Sequence, residues 1–277
     1  MDEDAWSSLW SHNCVWTDLA ITETDFAEAR EQLRLTADWP RRWSAAAQVG
    51  SGEVVVPVRD LESVPVAGRK PVRRFGWHRA QRHRPGLQLL VSTGRHHGCE
   101  SRAEAVLLQM LDFAGGVTEV LSQPVRLRFQ AQDGPREHIP DFFADTSGGR
   151  WLIDVRPQGR IEPRDEVAFA ATGEVALLLG WGYLVVTGWR ARVEATVDQF
   201  SAQRRPLTDR LGITESLLTG LAEGLRPFGE LAATTIAPPI ARAYLLHLLW
   251  HRRVGMDLTA SLGDHTLITA ATSTGQG

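Results

Sequence analysis

The residues best suited to chemistry lie in one short stretch, IPDFFADTSGGRWLIDVRP, at residues 139–157. Asp141 and Asp154 lie on two apolar runs joined by a Ser-Gly-Gly turn, and Arg156 follows the second carboxylate by two positions. Carboxylate oxygens are ligands that Mg²⁺ prefers, and the ion keeps several waters. It can activate a bound water and stabilise charge on a phosphate, so the stretch suits a metal site that could hydrolyse a phosphate ester.

A third carboxylate comes from a helix that precedes this stretch. Apolar residues recur at spacings of three and four over residues 101–113, which is typical of an amphipathic helix. Glu104 borders the apolar stripe, and we predict that it binds Mg²⁺, or Mn²⁺ in its place, together with the two aspartates. Ser101 and Glu104 also have the spacing of a capping box. If Glu104 only caps the helix, Glu100 is the alternative third ligand.

The two aspartates have structural explanations as well. Asp141 follows a proline and is compatible with a turn or a strand edge. Asp154 has arginines within reach across the predicted hairpin, either Arg150 or Arg156, and an ion pair with one of them would explain it equally well.

A cationic segment precedes the predicted helix. Between Ser63 and Cys99 the chain has no Asp or Glu, and Phe75 and Trp77 are interleaved among its basic residues. Such a segment suits contact with a phosphate backbone, although a solvated arm without a ligand is the alternative. The residues predicted to bind DNA are Arg69, Lys70, Arg73, Arg74, Arg79, Arg82 and Arg84.

Composition narrows the class of protein. The chain has 277 residues, 43% of them hydrophobic, and a net charge of −3, as expected for a globular protein. Its two cysteines, Cys14 and Cys99, exclude a disulfide framework within the chain, and a zinc site at His96 and His97 is disfavoured without a second nearby cysteine. The acidic N-terminus does not resemble a signal peptide, and no apolar run is long enough to span a bilayer. These features predict a cytoplasmic protein without membrane contact.

Periodicity predicts the order of elements. Residues 1–67 form a partly helical N-terminal segment with a helix at 24–35, and residues 49–98 include an extended, partly ordered arm. Residues 68–199 alternate between strands and helices, which indicates an α/β domain with a mixed sheet. A polar linker at 200–213 is followed by three helices and a hairpin at 214–277, which favour a winged-helix-like domain.

Several fragments taken in order point to a family. They are CESRAEAVLLQMLDF, VTEVLSQPVRLRF, HIPDFFAD and WLIDVRP. This series resembles the TnsA-type endonuclease subunit of heteromeric bacterial transposases, a branch of the PD-(D/E)xK nuclease superfamily. The resemblance extends from about residue 75 to 187, and weakly through YLLHLLWHRRVGMDLTASLGDHTLI.

The resemblance implies a restriction-endonuclease-like mixed sheet flanked by helices, and a C-terminal winged helix that meets other transposition proteins. It implies double-stranded DNA at the transposon ends as substrate, with a DDE-type transposase subunit and an ATPase regulator as partners. The family's acidic positions match Glu104, Asp141 and Asp154. Its active-site lysine matches Arg156.

The departure at Arg156 changes the chemistry that is available. Lysine can lose its proton when buried and act on a water, whereas arginine stays charged and matches a phosphate with its fork of donors. Lys70 is the only lysine of the chain, so arginine in place of lysine is general in this sequence. We therefore expect Arg156 to clamp the phosphate rather than act as a base.

Two other functions remain open at this stage. The nuclease-like domain is also compatible with a catalytically inactive DNA-binding or assembly adaptor in the same machinery. A stand-alone restriction or repair nuclease would keep the chemistry and dispense with the partners.

Overall fold

The computed structural model describes residues 8–66, 68–73 and 86–271 of the chain. Within these ranges it is a mixed α/β protein. The helices are α1 (Trp16–Leu19), α2 (Ala27–Arg30), α3 (Trp39–Arg42), α4 (Arg102–Ala114), α5 (Pro163–Leu178), α6 (Val193–Ser201), α7 (Ile213–Gly220), α8 (Phe228–Ala233) and α9 (Pro238–Trp250). A 3₁₀ helix covers Val58–Ser63.

The strands are β1 (Ala20–Glu23), β2 (Ser44–Val49), β3 (Gly52–Pro57), β4 (Arg69–Lys70), β5 (Gly86–Leu90), β6 (Arg95–Cys99), β7 (Val117–Ser122), β8 (Arg126–Ala131), β9 (Gly134–His138), β10 (Phe142–Thr146), β11 (Gly149–Val155), β12 (Gly182–Trp189), β13 (Arg226–Pro227), β14 (Val254–Gly255) and β15 (Leu267–Ala270). None of the helices in the described ranges is both long enough and apolar enough to cross a membrane.

The chain divides into two compact units. One comprises residues 20–188, and the other combines residues 1–19 with 189–277. The limits of these units differ from the predicted domain boundaries at residues 67, 199 and 213. Residues 8–19 join the C-terminal unit because their backbone pairs with it: Trp10 bridges Asp257, and the Ser11 amide donates to the carbonyl of Met256 at 2.9 Å.

The predicted linker at 200–213 also belongs to this unit. It begins within the last turn of α6, where Phe200 is buried. Farther along, the hydroxyl of Tyr244 donates to the carbonyl of Thr208 at 3.0 Å. The segment is therefore packed onto α9 rather than being a free connection.

The unit at residues 20–188 contains two main sheets. The first, called the central sheet, has the order β1-β12-β11-β10-β7, with β11 and β12 parallel and β10 antiparallel to both β11 and β7. The second has the order β3-β2-β8-β9, with β4 also paired to β2. A parallel pair needs a crossover connection, and α5 supplies it between β11 and β12. The prediction of a mixed sheet is confirmed.

The core of this unit explains the strand and helix patterns. Phe129 from β8, Phe143 from β10 and Leu152 from β11 are buried in one cluster with Val167 and Val175 of α5. The predicted hairpin is present, with Thr146 paired to Gly149 across a two-residue turn. Glycine suits this turn because Gly149 has φ of 106°, a conformation that costs other residues steric energy.

One N-terminal prediction is wrong. The predicted helix at 24–35 is only the four residues of α2, because the helix ends at Arg30 and Leu33 then bridges Ala131 of β8. The predicted extended arm at 49–98 contains the second strand of the β2–β3 hairpin and the β5–β6 hairpin. Its Val-rich part is therefore ordered by strand pairing.

The C-terminal unit has α7, β13, α8, α9, β14 and β15 in chain order. Its three short strands form one sheet in the order β13-β15-β14. The strands of the predicted hairpin are β14 and β15, which pair antiparallel with Val254 opposite Ala270. All three predicted helices are present.

A close approach in the central sheet gives a first prediction. Gly182 is paired with Trp151, and a Cβ at Gly182 would lie 2.3 Å from the indole ring. We expect Gly182→Ala to lower the free energy of unfolding by about 1–3 kcal/mol, because a rigid ring has to move. Urea unfolding measures this. Gly188→Ala on the same strand is the control, since its Cβ would meet only Ile21 at 3.9 Å; equal stability of the two variants would contradict the prediction.

Candidate active site

The hairpin places two predicted site residues directly opposite each other. Phe142 pairs with Ile153, so the next position of the same register brings Asp141 opposite Asp154 at the end of β11. Asp154 is buried, with 1% of its surface exposed. Like charges opposite each other across two strands are unfavourable. The pair therefore needs a proton, a basic group or a cation.

The repulsion between the two carboxylates is clearest at Asp141. Its Oδ2 accepts the backbone N–H of Val155 at 2.8 Å, a ladder position that β10 leaves open. Burial, first, and then the carboxylates of Asp154 and Glu104 together raise the pKa of Asp141 to about 8. The Val155 bond and His138 act in the opposite direction. At neutral pH the carboxyl group holds a proton unless a cation compensates its charge.

Asp154 is held by two side chains. His138 Nε2 lies 3.0 Å from each of its oxygens, and the hydroxyl of Tyr183 donates to Oδ2 at 2.9 Å. His138 ends β9, and Tyr183 lies on β12, so strands from both sheets converge on this carboxylate. The structural alternative of an arginine partner for Asp154 is not what the structure shows.

Sequence reasoning missed both of these residues. His138 opens the HIPD fragment, and Tyr183 is one of only two tyrosines in the chain, a weak signal in each case. Burial lowers the pKa of His138, but the Asp154 carboxylate outweighs this effect and leaves the pKa above 6.5. Burial and the same carboxylate raise the pKa of Tyr183, which therefore stays a hydrogen-bond donor.

Ser101 is the N-cap of α4, and Glu104 supports this helix start without forming the reciprocal bond to the Ser101 N–H that a capping box has. Its backbone N–H donates to Ser101 Oγ at 3.1 Å, and its Oε2 accepts the N–H of Glu100 at 2.8 Å. Burial raises the pKa of Glu104, against the hydrogen bonds from Glu100 and Ser101. Glu104 is close enough to Asp141 to influence its pKa, but its role as a ligand stays a prediction.

Arg156 lies near the carboxylates, with its guanidinium beside the ring of Phe169 and the side chain of Asp165. Its guanidinium carbon is 5.9 Å from the centre of the Phe169 ring, and its Nε is 3.8 Å from Asp165 of α5. Its charge lowers the pKa of both His138 and Tyr183, so it is near the side chains that hold Asp154. With 38% of its side chain exposed, the guanidinium is accessible to a ligand.

The predicted DNA-binding residues divide into three groups. The prediction that Arg69 binds DNA is wrong. Its side chain is buried and donates to the carbonyls of Pro65 and Val64 at 2.8 and 2.5 Å, so it stabilises its own loop. Lys70 is exposed on β4, and Arg73 is exposed but pairs with Glu100 at 2.5 Å. The remaining predicted cations, Arg74, Arg79, Arg82 and Arg84, lie outside the described residues.

The residues around Asp141 and Asp154 meet some of the requirements of a metal site, but not all of them. Asp141 and Asp154 offer hard oxygens, and the raised pKa of Asp141 marks a site where a cation would relieve repulsion. Within the described ranges, however, no group of three or more His, Cys, Asp and Glu side chains is arranged to hold a metal. Two carboxylates with waters are a set that Mg²⁺ accepts, so the pair fits this ion without a preformed cage.

No protein-family model matches the chain, and no characterised protein sequence matches it. Its function is therefore inferred from the geometry of the buried carboxylates and from the sequence resemblance.

Proposed function

We propose that this chain is a Mg²⁺-dependent DNA endonuclease subunit of a heteromeric transposase, hydrolysing a phosphodiester at the transposon ends. The observation that carries the proposal is the pair Asp141 and Asp154, opposed at the end of a hairpin, with Arg156 two residues beyond. A buried carboxyl whose pKa is raised by its neighbours is typical of functional sites. Among the described residues, no ion pair holds Asp141 at this position.

The order of elements supports the same proposal. Helix α4, strands β7, β10 and β11, helix α5 and the parallel strand β12 follow the order expected of a restriction-endonuclease-like domain. The series α7, β13, α8, α9, β14, β15 is the order expected of a winged helix. The likeness in order favours a nuclease domain joined to a partner-binding domain.

The residues take the following roles. Asp141 and Asp154 hold the ion, with Glu104 adding negative charge from the start of α4. When bound, Mg²⁺ or Mn²⁺ supplies an activated water and offsets charge on the phosphate. His138 and Tyr183 fix the orientation of the Asp154 carboxylate, as outer partners of metal ligands commonly do.

Arg156 clamps the scissile phosphate. Its planar fork of donors matches two phosphate oxygens, and the Phe169 ring restricts its position. Lys70 is placed for sequence-independent backbone contact, and Arg73 joins it if DNA displaces its pairing with Glu100.

The test is cleavage of transposon-end DNA by the full chain with Mg²⁺ and the partner transposase and ATPase subunits. We expect Asp141→Ala to abolish nicking. Asp145→Ala is the matched control, since Asp145 lies on β10, which Asp141 directly precedes, and its carboxylate is 3.5 Å from the Nε of Arg150. Equal nicking by wild type and Asp141→Ala would overturn the enzyme proposal.

The adaptor alternative has one observation in its favour. The oxygens of Asp154 and Glu104 are already engaged by His138, Tyr183 and the α4 cap. An adaptor would bind DNA and support assembly with wild-type strength after Asp141→Ala, and wild type would not nick DNA. Nicking by the purified chain alone would instead favour a stand-alone nuclease.

The two tyrosines allow a controlled prediction. Tyr183→Phe removes the donor to Asp154 and leaves the ring, so we expect nicking to fall about 10- to 100-fold, as when an outer partner of a metal ligand is lost. Tyr244→Phe also removes one hydroxyl bond, to the carbonyl of Thr208, and should leave nicking unchanged. Nicking rates over a Mg²⁺ titration compare them; equal rates at every concentration would count against the role of Tyr183.

A further inference from the structure

Gln123 lies at the end of β7, in line with the two aspartates. Ser122 pairs with Phe142, and the next register position brings Gln123 beside Asp141, whose carbonyl accepts the Gln123 N–H at 2.7 Å. Asp154 follows on the next strand. Three neighbouring strands therefore end with Gln123, Asp141 and Asp154 side by side.

The backbone of Gln123 is held in an unusual conformation. Its φ is 48°, which residues other than glycine seldom adopt. Hydrogen bonds fix it from both sides, because its N–H donates to Asp141 and its carbonyl accepts the N–H of Val72 at 3.0 Å. Such conformations persist where surrounding structure enforces them, often at functional sites.

The side chain of Gln123 has an unmet requirement. Only 4% of its surface is exposed, and its Oε1 finds no hydrogen-bond donor within the described part of the chain. Buried side-chain carbonyls are normally bonded. The acidic groups beside it are acceptors when ionised, so they supply no donor once a cation has displaced the proton of Asp141.

We infer that Gln123 is a positioning residue of the metal site, and that its Oε1 accepts a hydrogen bond from a water bound to the divalent cation. A hydrated cation brings O–H donors into a cluster of acceptors, which meets the requirement of Oε1 and of the aspartates together. This inference rests on the proposed function, since it assumes that Asp141 and Asp154 hold the ion.

A second donor is conceivable and gives a different result. The protonated carboxyl of Asp141 could donate to Oε1 in the absence of metal. In that case replacing Gln123 would change the stability of the metal-free protein and leave its affinity for a cation unchanged.

The test is binding of Mn²⁺ to the full chain, measured from the paramagnetic resonance signal of free Mn²⁺. Gln123→Met keeps the length of the side chain and removes the carbonyl, and we expect about tenfold weaker binding, in the range seen when outer partners of metal ligands are lost. Gln123→Asn keeps an amide that tolerates positive φ but shortens its reach, and should weaken binding as well. It decides the question if the methionine variant does not fold.

Gln130→Met is the matched control, because Gln130 is a half-buried glutamine on β8, and its binding should equal that of wild type. Wild-type affinity in both Gln123 variants would overturn the inference. If wild type itself binds no Mn²⁺, or binds it as well after Asp141→Ala, the proposed metal site fails instead.

Discussion

Replacing Asp141 by asparagine is expected to make the protein more stable at pH 8 while removing its cleavage activity. The pKa of Asp141 is raised to about 8 in the folded protein, from an ordinary value of 3.8, through burial and the neighbouring carboxylates. Asparagine keeps an oxygen for the N–H of Val155 and carries no charge. It therefore removes the repulsion and retains the hydrogen bond.

The pH dependence has a definite sign. Between pH 4 and 8 the folded state binds more protons at Asp141 than the unfolded state, so this group lowers stability as the pH rises. Below that window both states are protonated, and above it the full penalty is present. The stability advantage of Asp141→Asn should thus grow across the window, by at most about 6 kcal/mol because each pKa unit corresponds to about 1.4 kcal/mol, and then stay constant.

Urea unfolding at several pH values, with a chelator present, measures this difference. Glu104 titrates in the same direction, because burial raises its pKa too, but it is present in both proteins and its contribution largely cancels. Asp145→Asn serves as the control and should show no growing advantage. A variant less stable than wild type at pH 8 would show that Asp141 is compensated by a group that the structure does not reveal.

The hairpin and its helices were predictable because their signals are local. Two apolar runs predicted β10 and β11, and the Ser-Gly-Gly turn between them set the register that opposes Asp141 and Asp154. The spacing of Ser101 and Glu104 likewise indicated the start of α4, where the Ser101 hydroxyl accepts the N–H of Glu104. These features depend on residues within a few positions of one another.

The partners of Asp154 depend on contacts that no local pattern encodes. His138 reaches it from 16 positions away and Tyr183 from 29, through the pairing of separate strands. The bridge between Trp10 and Asp257 is still more distant along the chain. Arg69 shows the converse, since its place in a basic run predicted a surface role and its burial gives it an internal one.

Replacing Arg156 by alanine is expected to lower the rate of nicking about 10²- to 10³-fold, with little loss of stability. A positioned donor that stabilises charge developing on the phosphate contributes on this scale. The folded protein depends on Arg156 only weakly, because its ion pair with Asp165 is 3.8 Å long and partly exposed. A large kinetic effect with a small change in unfolding would separate a role in the reaction from a role in folding.

Arg156→Lys tests whether the phosphate needs only a positive charge at this position or the two donors of a planar guanidinium. Lysine keeps the positive charge and is the residue expected at this position from the sequence resemblance, so nicking should be retained. Single-turnover nicking with the partner subunits compares it with Arg156→Ala, and Arg164→Ala is the control, since Arg164 lies on α5 with 76% of its side chain exposed and pairs only locally with Glu162. Complete loss in Arg156→Lys would mean that the site requires two donors from one planar group. Wild-type rates in Arg156→Ala would remove Arg156 from the chemistry and leave the carboxylates to act without a phosphate clamp from β11.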